Sequence, residues 1–140
     1  MPELRRDPVI GRWVIISTER SKISLDYKHD IEKDPDTTTC AFCEGHEHMT
    51  PPEILAYRKH GTQKDKPGWW VRVVPNKYPA LGIEGEIKRV GEGLYDKMSG
   101  IGAHEVIIET AEHSLELPGI EDRKADDILW ACKERIGDLR

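Results

Sequence analysis

Two cysteines and two histidines lie within nine residues of the sequence, at Cys40, Cys43, His46 and His48. The C-x-x-C spacing of the cysteines is typical of half a tetrahedral zinc site, in which two thiolates provide two of the four ligands. A redox-active pair normally begins a helix, because the helix lowers the pKa of the first thiol. Here three threonines precede Cys40 and Gly45 follows Cys43, which favours a knuckle-like turn. We therefore predict a zinc site at this pair.

Two sets of residues can complete this site. The first set is local and uses His46 and His48, although structural sites usually separate paired ligands by roughly two to five residues. The second set is non-local and takes a histidine near a strand predicted over residues 103–110. His104 lies at the start of this strand and His113 just past its end. The spacing of the residues leaves both sets open, beside the simpler interpretation of surface histidines.

A second group of residues has the chemistry for nucleotide binding. The sequence VPNKYP, residues 74–79, predicts a turn after a strand, and the Asn76 amide there is suited to contact a base or ribose. Arg20 and Lys22 follow another predicted strand and can face a phosphate, although solvated charges are the commoner interpretation. The glycines between residues 82 and 102 match neither a dinucleotide-binding fingerprint nor a P-loop. No serine lies in a nucleophile elbow. By themselves these patterns predict a zinc-containing α+β domain.

Three apolar segments predict the strands that position these groups, over residues 11–18, 68–79 and 103–110. The second has a period of two up to Pro75, and residues 81–102 predict a long excursion or a hairpin. We expect mostly loop over residues 19–39. In the second strand, one face is predicted to hold Trp69, Val71 and Val73, and the other Trp70, Arg72 and Val74.

A C-terminal helix is predicted over residues 121–139. Acidic residues crowd its start, where the helix dipole favours them. No helix-ending residue follows, and an amphipathic helix of this kind needs a surface on which to pack. The apolar residues that recur at helical spacing are Ile128, Leu129, Cys132, Ile136 and Leu139.

The composition is that of an ordinary globular protein, with 140 residues, 34% charged, 37% hydrophobic and a net charge of −5. This length fits one domain. The negative charge argues against a nucleic-acid surface, the sequence contains no apolar run long enough to span a membrane, and the N-terminus lacks a secretory signal. Three cysteines suit a reducing compartment. We expect a cytoplasmic protein with no nucleic-acid or membrane partner.

Four motifs in this order carry a resemblance to a known family. They are ELRRDPVIGRWVIISTERSK, CAFCEGHE followed by TPPEI, WWVRVVPNKYPAL and GAHEVIIETAEHS. Together they resemble the N-terminal half of galactose-1-phosphate uridylyltransferase and its ADP-glucose phosphorylase-like relatives, in the histidine-triad superfamily. The resemblance implies an α+β fold, with a histidine-triad-like mixed or antiparallel sheet and a C-terminal helix, making one half of the family fold. It implies one N-terminal domain over residues 1–140, truncated inside or just after the helix at about 121–139.

The resemblance also implies which residues hold the metal. In the family the zinc ligands match Cys40, Cys43 and His113. The fourth ligand and the nucleophile are the two histidines of a downstream His-x-His motif, and neither position lies within these 140 residues. The histidines of the knuckle are no substitute for them. We therefore expect no catalytic residue in this chain.

The nucleotide contacts are carried over only in part. Arg20 matches a phosphate-contacting arginine, whereas Ile23 occupies the position of a second one, so that this contact is not carried over. Asn76, with Lys77 beside it, matches the turn that contacts the nucleoside, and Phe42 lies inside the C-x-x-C, where an apolar residue packs near the nucleotide. The predicted nucleotide-binding residues are Arg20, Lys22, Phe42, Asn76 and Lys77.

The family reaction is a double displacement. A histidine attacks the α-phosphorus of a UDP-sugar and releases hexose 1-phosphate, and a second hexose 1-phosphate then takes the uridylyl group. The resemblance implies a nucleotidyltransferase of galactose metabolism of the UDP-glucose–hexose-1-phosphate uridylyltransferase type, inactive as the isolated chain. Its partners are a UDP-sugar and hexose 1-phosphate, and it forms a homodimer or pairs with a missing C-terminal half. The alternatives are an ADP-sugar phosphorylase relative, which the pattern HEVIIE favours slightly, and a non-catalytic zinc-binding module.

Overall fold

The computed structural model describes residues 1–17 and 40–140. The described residues form two antiparallel sheets and one α-helix, which confirms the predicted α+β class. They divide into two compact units, residues 1–17 with 78–104 and residues 40–77 with 105–140. Within these ranges no helix has the length and apolarity needed to cross a bilayer. In chain order the elements are β1 (Glu3–Arg6), β2 (Trp13–Ile16), β3 (Leu55–Arg58), β4 (Trp69–Pro75), β5 (Arg89–Glu92), β6 (Tyr95–Ser99), β7 (Glu105–Ile108) and α1 (Asp122–Asp138).

The first unit contains a four-stranded sheet in the order β2-β1-β6-β5. The hairpin predicted within residues 81–102 is confirmed as β5 and β6, whose turn places Gly93 at a φ of +63°, a conformation that favours glycine. Strand β2 confirms the prediction over residues 11–18, within shorter bounds. Strand β1 was not predicted, because its four residues are mostly charged and have no apolar alternation, and it forms by pairing with β2 and β6.

The second unit contains a three-stranded sheet in the order β3-β4-β7, with β4 in the centre. Strands β4 and β7 confirm the predictions over residues 68–79 and 103–110. Strand β3 was not predicted. Both neighbours of β4 are antiparallel to it, and the central valines are almost fully buried, with 1% of Val71 and none of Val73 exposed. This rigid central strand positions the candidate site.

A β-bulge in β4 breaks the predicted alternation. Strand β3 pairs with Trp69 and Val71, so that Trp70 is an extra residue between the two pairs. Trp70 and Val71 both pack in the cluster under α1, whereas Trp69 packs in the cluster on the opposite face. The predicted grouping of Trp69 with Val71 and Val73 is therefore wrong, because one inserted residue shifts every earlier side chain to the other face.

Helix α1 packs on the sheet through Ile128 and Ala131, which are 7% and 0% exposed. The face predicted from the larger apolar residues is partly wrong. Leu129 and Ile136 are 68% and 58% exposed, and Leu139 is also exposed. A small residue at position 131 lets the helix approach the sheet closely, so that the contact stripe runs through Ile128 and Ala131. The exposed residues leave apolar surface of the helix uncovered.

The variant Ile128→Val tests which face of α1 packs. We expect it to lower the free energy of unfolding by about 1 kcal/mol, because a buried methylene is lost and the space is only partly refilled. The matched variant Ile136→Val removes the same group from an exposed position and should change the free energy by less than about 0.5 kcal/mol. Urea unfolding followed by circular dichroism measures both. Equal losses in the two variants would contradict the assignment of the buried face.

Candidate metal centre

Residues 40–48 form a knuckle that is held by its own backbone. The Cys43 N–H donates to the Cys40 carbonyl at 3.4 Å, and the His46 N–H donates to the Cys43 carbonyl at 3.1 Å. Gly45 has a φ of +94°, a left-handed conformation that a side chain would strain. The His46 ring closes the turn, because its Nδ1 lies 2.6 Å from the Cys40 carbonyl oxygen and donates to it. The predicted turn, in place of a helix start, is present.

The segment after β7 brings His113 to this knuckle. The ligand atoms of Cys40, Cys43 and His113 lie within 4.8 Å of one another, and the Cys43 Sγ is 3.1 Å from the His113 Nδ1. The Glu44 N–H donates to the Ala111 carbonyl at 3.4 Å, which joins the knuckle to the exit of β7. Two sulfurs and one imidazole nitrogen are ligands that structural zinc sites use. These three residues can hold a metal ion.

The other candidate histidines have different surroundings. His48 is exposed, and its ring lies edge to face with the ring of His46, with the centroids 6.2 Å apart. The His104 Nδ1 accepts the Ala80 N–H at 3.0 Å within the first unit. In the part of the chain that the structure describes, Cys40, Cys43 and His113 form the one group of three potential ligands.

The electrostatics of the cysteine pair favour a cation. Burial raises the pKa of the Cys43 thiol, and the neighbouring Cys40 sulfur raises it further. Two thiols this close resist ionising together. A divalent cation between them reverses this effect, because it stabilises both thiolates as it displaces their protons. The donor set therefore fits a zinc ion, which when bound would clamp the knuckle to the segment after β7.

Two carboxylates fix the knuckle to the start of β4. The Glu44 Oε1 accepts the Gly68 N–H at 2.6 Å. The Glu47 Oε1 accepts the Trp69 indole N–H at 2.7 Å and the Gly45 N–H at 3.1 Å. Burial alone would raise the pKa of Glu47, but hydrogen bonds from the Trp69 indole and from nearby backbone N–H groups lower it below its ordinary value. Glu47 is therefore an anion at neutral pH although only 5% of it is exposed.

A buried ion network holds the chain that follows the knuckle. Arg72, in the centre of β4, is 1% exposed and donates to Glu53 at 2.9 Å, to Asp65 at 3.0 Å and to the Thr50 hydroxyl at 2.8 Å. Glu53 also accepts a bond from Arg58. Burial opposes the ionisation of Asp65, but bonds from the Glu53 N–H and from Arg72 hold its pKa below the ordinary value. Among the described residues, no buried side-chain polar atom lacks a hydrogen-bond partner.

The structure describes three of the five predicted nucleotide-binding residues. Phe42 is 47% exposed on the knuckle. Asn76, partly buried, and Lys77, exposed, directly follow β4 in the same unit. Arg20 and Lys22 lie outside the described residues. The nucleotide role of all five stays a prediction.

The sequence reasoning missed the carboxylates and the arginine that support the knuckle. One signal was available, because Arg72 interrupts an apolar strand, and a buried cation is almost always paired with anions. Glu44 and Glu47 carry no such signal. Acidic residues beside a turn are commonly solvated, and only the position of β4 shows that these two are bonded.

Comparison with known proteins identifies relatives over nearly the whole chain, although no protein-family model matches it. The chain is 37% identical over 142 residues to ADP-glucose phosphorylase from Arabidopsis thaliana, covering 99% of this chain and 39% of the relative. It is 24% identical over 140 residues to galactose-1-phosphate uridylyltransferase from Thermotoga maritima, covering 99% of this chain and 36% of the relative.

Solved structures give the same result. The crystal structure of an ADP-glucose phosphorylase from Arabidopsis thaliana with bound ADP-glucose has a TM-score of 0.54 and 34% identity, covering 99% of this chain and 38% of that one. A uridylyltransferase structure has a TM-score of 0.61 and 23% identity, covering 97% of this chain and 34% of that one, and supports the fold alone. The chain spans less than two-fifths of the length of these proteins. Over nearly its whole length the chain is similar to the N-terminal portion of ADP-glucose phosphorylase and galactose-1-phosphate uridylyltransferase, as its four motifs predicted.

Proposed function

We propose that this chain is the metal-binding and nucleotide-binding portion of a nucleotidyltransferase that acts on nucleoside-diphosphate sugars. The observation that carries this proposal is the meeting of Cys40, Cys43 and His113 in a chain that aligns over 99% of its length with two relatives of this kind. The ligand set and the kinship agree, because the three residues that the family resemblance indicates as zinc ligands are the three whose ligand atoms meet in the structure.

We infer that the nucleotide is an ADP-sugar, the alternative that the pattern HEVIIE favours slightly. The relative named for ADP-glucose is 37% identical, whereas the uridylyltransferase is 24% identical. A structure that is 34% identical to this chain contains bound ADP-glucose. A UDP-glucose–hexose-1-phosphate uridylyltransferase of galactose metabolism becomes the second candidate, which the Thermotoga maritima relative supports.

In this proposal the ion at Cys40, Cys43 and His113 is zinc with a structural role. Phe42 stacks on the base and Asn76 bonds to the nucleoside. Lys77, Arg20 and Lys22 supply positive charge for the phosphates. The attacking histidine and the fourth zinc ligand lie outside these 140 residues, so that the chain binds nucleotide but transfers no nucleotidyl group by itself. We also propose that the chain forms a homodimer or pairs with the remaining portion of such an enzyme.

A cytoplasmic location is part of the same proposal. None of the three cysteines forms a disulfide in the structure. Two of them lie at the candidate metal centre, where they must remain reduced to bind an ion. A reducing compartment therefore suits the chain.

Calorimetric titration of the zinc-loaded chain with ADP and with UDP tests this function. We expect ADP to bind more tightly. We expect Phe42→Ala to weaken ADP binding by about fivefold to a hundredfold, because stacking of one base on an aromatic ring contributes about 1–3 kcal/mol. Asn76→Ala should weaken it by about fivefold, the value of one hydrogen bond of about 1 kcal/mol.

Two control variants accompany this titration. Tyr95→Ala removes an exposed aromatic ring from the first unit, and Gln63→Ala removes an exposed amide. Neither should change the affinity for ADP. Tighter binding of UDP would favour the uridylyltransferase. The absence of binding to either nucleotide would favour a non-catalytic zinc-binding module and overturn the proposal.

A further inference from the structure

We propose that Glu47 is a positioning residue of the metal centre. Its carboxylate fixes the C-x-x-C knuckle to strand β4 and so holds the cysteine ligands in the arrangement that binds a metal. This inference rests on the proposed metal site. It concerns a residue that binds no metal itself, in contrast to Cys40, Cys43 and His113.

The Glu47 carboxylate bonds to both the knuckle and the sheet. A single oxygen, Oε1, receives both the Gly45 N–H at 3.1 Å and the Trp69 indole N–H at 2.7 Å. Gly45 lies two residues after Cys43, in the left-handed conformation that ends the knuckle. Glu47 therefore connects the backbone of the ligand loop to a side chain of the sheet.

The Trp69 indole, which donates to Glu47, is fixed in the core of the sheet. Trp69 is 4% exposed and packs with Val74 and Ile108 in the core of the sheet. The bulge at Trp70 turns the Trp69 indole away from the α1 face, to the opposite face of the sheet. A hydrogen bond to such a fixed donor transmits the position of β4 to the knuckle, because the donor has little freedom to follow the loop.

The two hydrogen bonds that Glu47 accepts are stronger than bonds between neutral groups. Glu47 is an anion and its acceptor oxygen is buried, so that both bonds are charge-assisted. Hydrogen bonds made directly to metal ligands typically change the affinity for the metal by about tenfold to a hundredfold. Glu47 bonds to the backbone of the ligand loop, two residues after Cys43, so that the lower end of this range applies. The bond from the Gly68 N–H to Glu44 supplies a parallel connection, so that the knuckle should remain present without Glu47.

Titration of the metal-free protein with Co²⁺ tests this inference, with the thiolate charge-transfer and d–d absorption bands as the readout. We expect Glu47→Gln to weaken Co²⁺ binding by about tenfold and to alter the d–d bands. An uncharged amide oxygen accepts the two N–H bonds more weakly than the carboxylate, and the ligand geometry relaxes. Glu86→Gln removes an exposed carboxylate from the first unit and serves as the control. It should match the wild type in both affinity and spectrum. Affinity is expressed per folded molecule, from unfolding curves recorded in parallel.

The outcomes separate this inference from the proposed metal site. If the wild type binds Co²⁺ and Glu47→Gln binds it equally well with the same spectrum, Glu47 has only a structural role and the inference is overturned. If the wild type itself does not bind Co²⁺, the proposed site fails and the inference fails with it. Should Glu47→Gln not fold, Trp69→Phe decides on the same criteria, because it removes the indole donor and keeps a buried aromatic ring.

Discussion

His113→Ala is expected to lose about a hundredfold or more of the zinc affinity of the protein. The His113 Nδ1 lies 3.1 Å from the Cys43 Sγ, within a group whose ligand atoms all lie within 4.8 Å. A structural zinc site contributes about 10–16 kcal/mol in total, so that one ligand of four corresponds to about 3 kcal/mol, or two orders of magnitude in affinity. His48→Ala is the matched control and should retain the affinity of the wild type.

Zinc content after dialysis, measured by mass spectrometry, and thermal unfolding with and without zinc give two readouts of this variant. At a zinc concentration of a hundred times the dissociation constant, binding stabilises the folded wild type by about 2.7 kcal/mol. His113→Ala should lose most of this increment at the same zinc concentration. Retention of zinc by His113→Ala, together with its loss from His46→Ala or His48→Ala, would instead support the local ligand set.

Arg72→Met is expected to lower the free energy of unfolding by about 3–5 kcal/mol. Arg72 is 1% exposed and bonds to Glu53, which is itself 5% exposed, and to Asp65. Methionine has a similar length and fills much of the space. The loss therefore comes from the buried Glu53 and the partly exposed Asp65, which both lose this cation, while Arg58 remains bonded to Glu53.

Urea unfolding followed by tryptophan fluorescence measures this loss. Arg5→Met is the control, because Arg5 forms a surface pair with Glu3 and its removal should cost less than about 1 kcal/mol. The double variant Arg72→Met with Glu53→Gln should be more stable than the sum of the two single losses implies, because neutralising Glu53 removes the buried charge that has lost one of its two cations. A loss below 1 kcal/mol for Arg72→Met would show that the network does not stabilise the fold.

The elements that the sequence predicted correctly are those with a strong local pattern. The apolar runs of β4 and β7 and the helical spacing of α1 are readable within one segment. Strands β1 and β3 were missed because each has only four residues, ELRR and LAYR, and becomes a strand by pairing with strands outside its own segment. The bulge at Trp70 was missed for the same reason, since a register shift exists only between two paired strands.

The sequence by itself determined the ligand types and the turn that presents them, because Cys40, Cys43 and Gly45 lie within six residues and their chemistry is local. Its residue spacing left the third ligand open, and the family resemblance indicated His113. Only the tertiary structure places that ring, seventy residues from Cys43, beside the knuckle. The physical reason is that β4 and β7 pair side by side, and the energy of that pairing is spread over many weak contacts that no single segment contains.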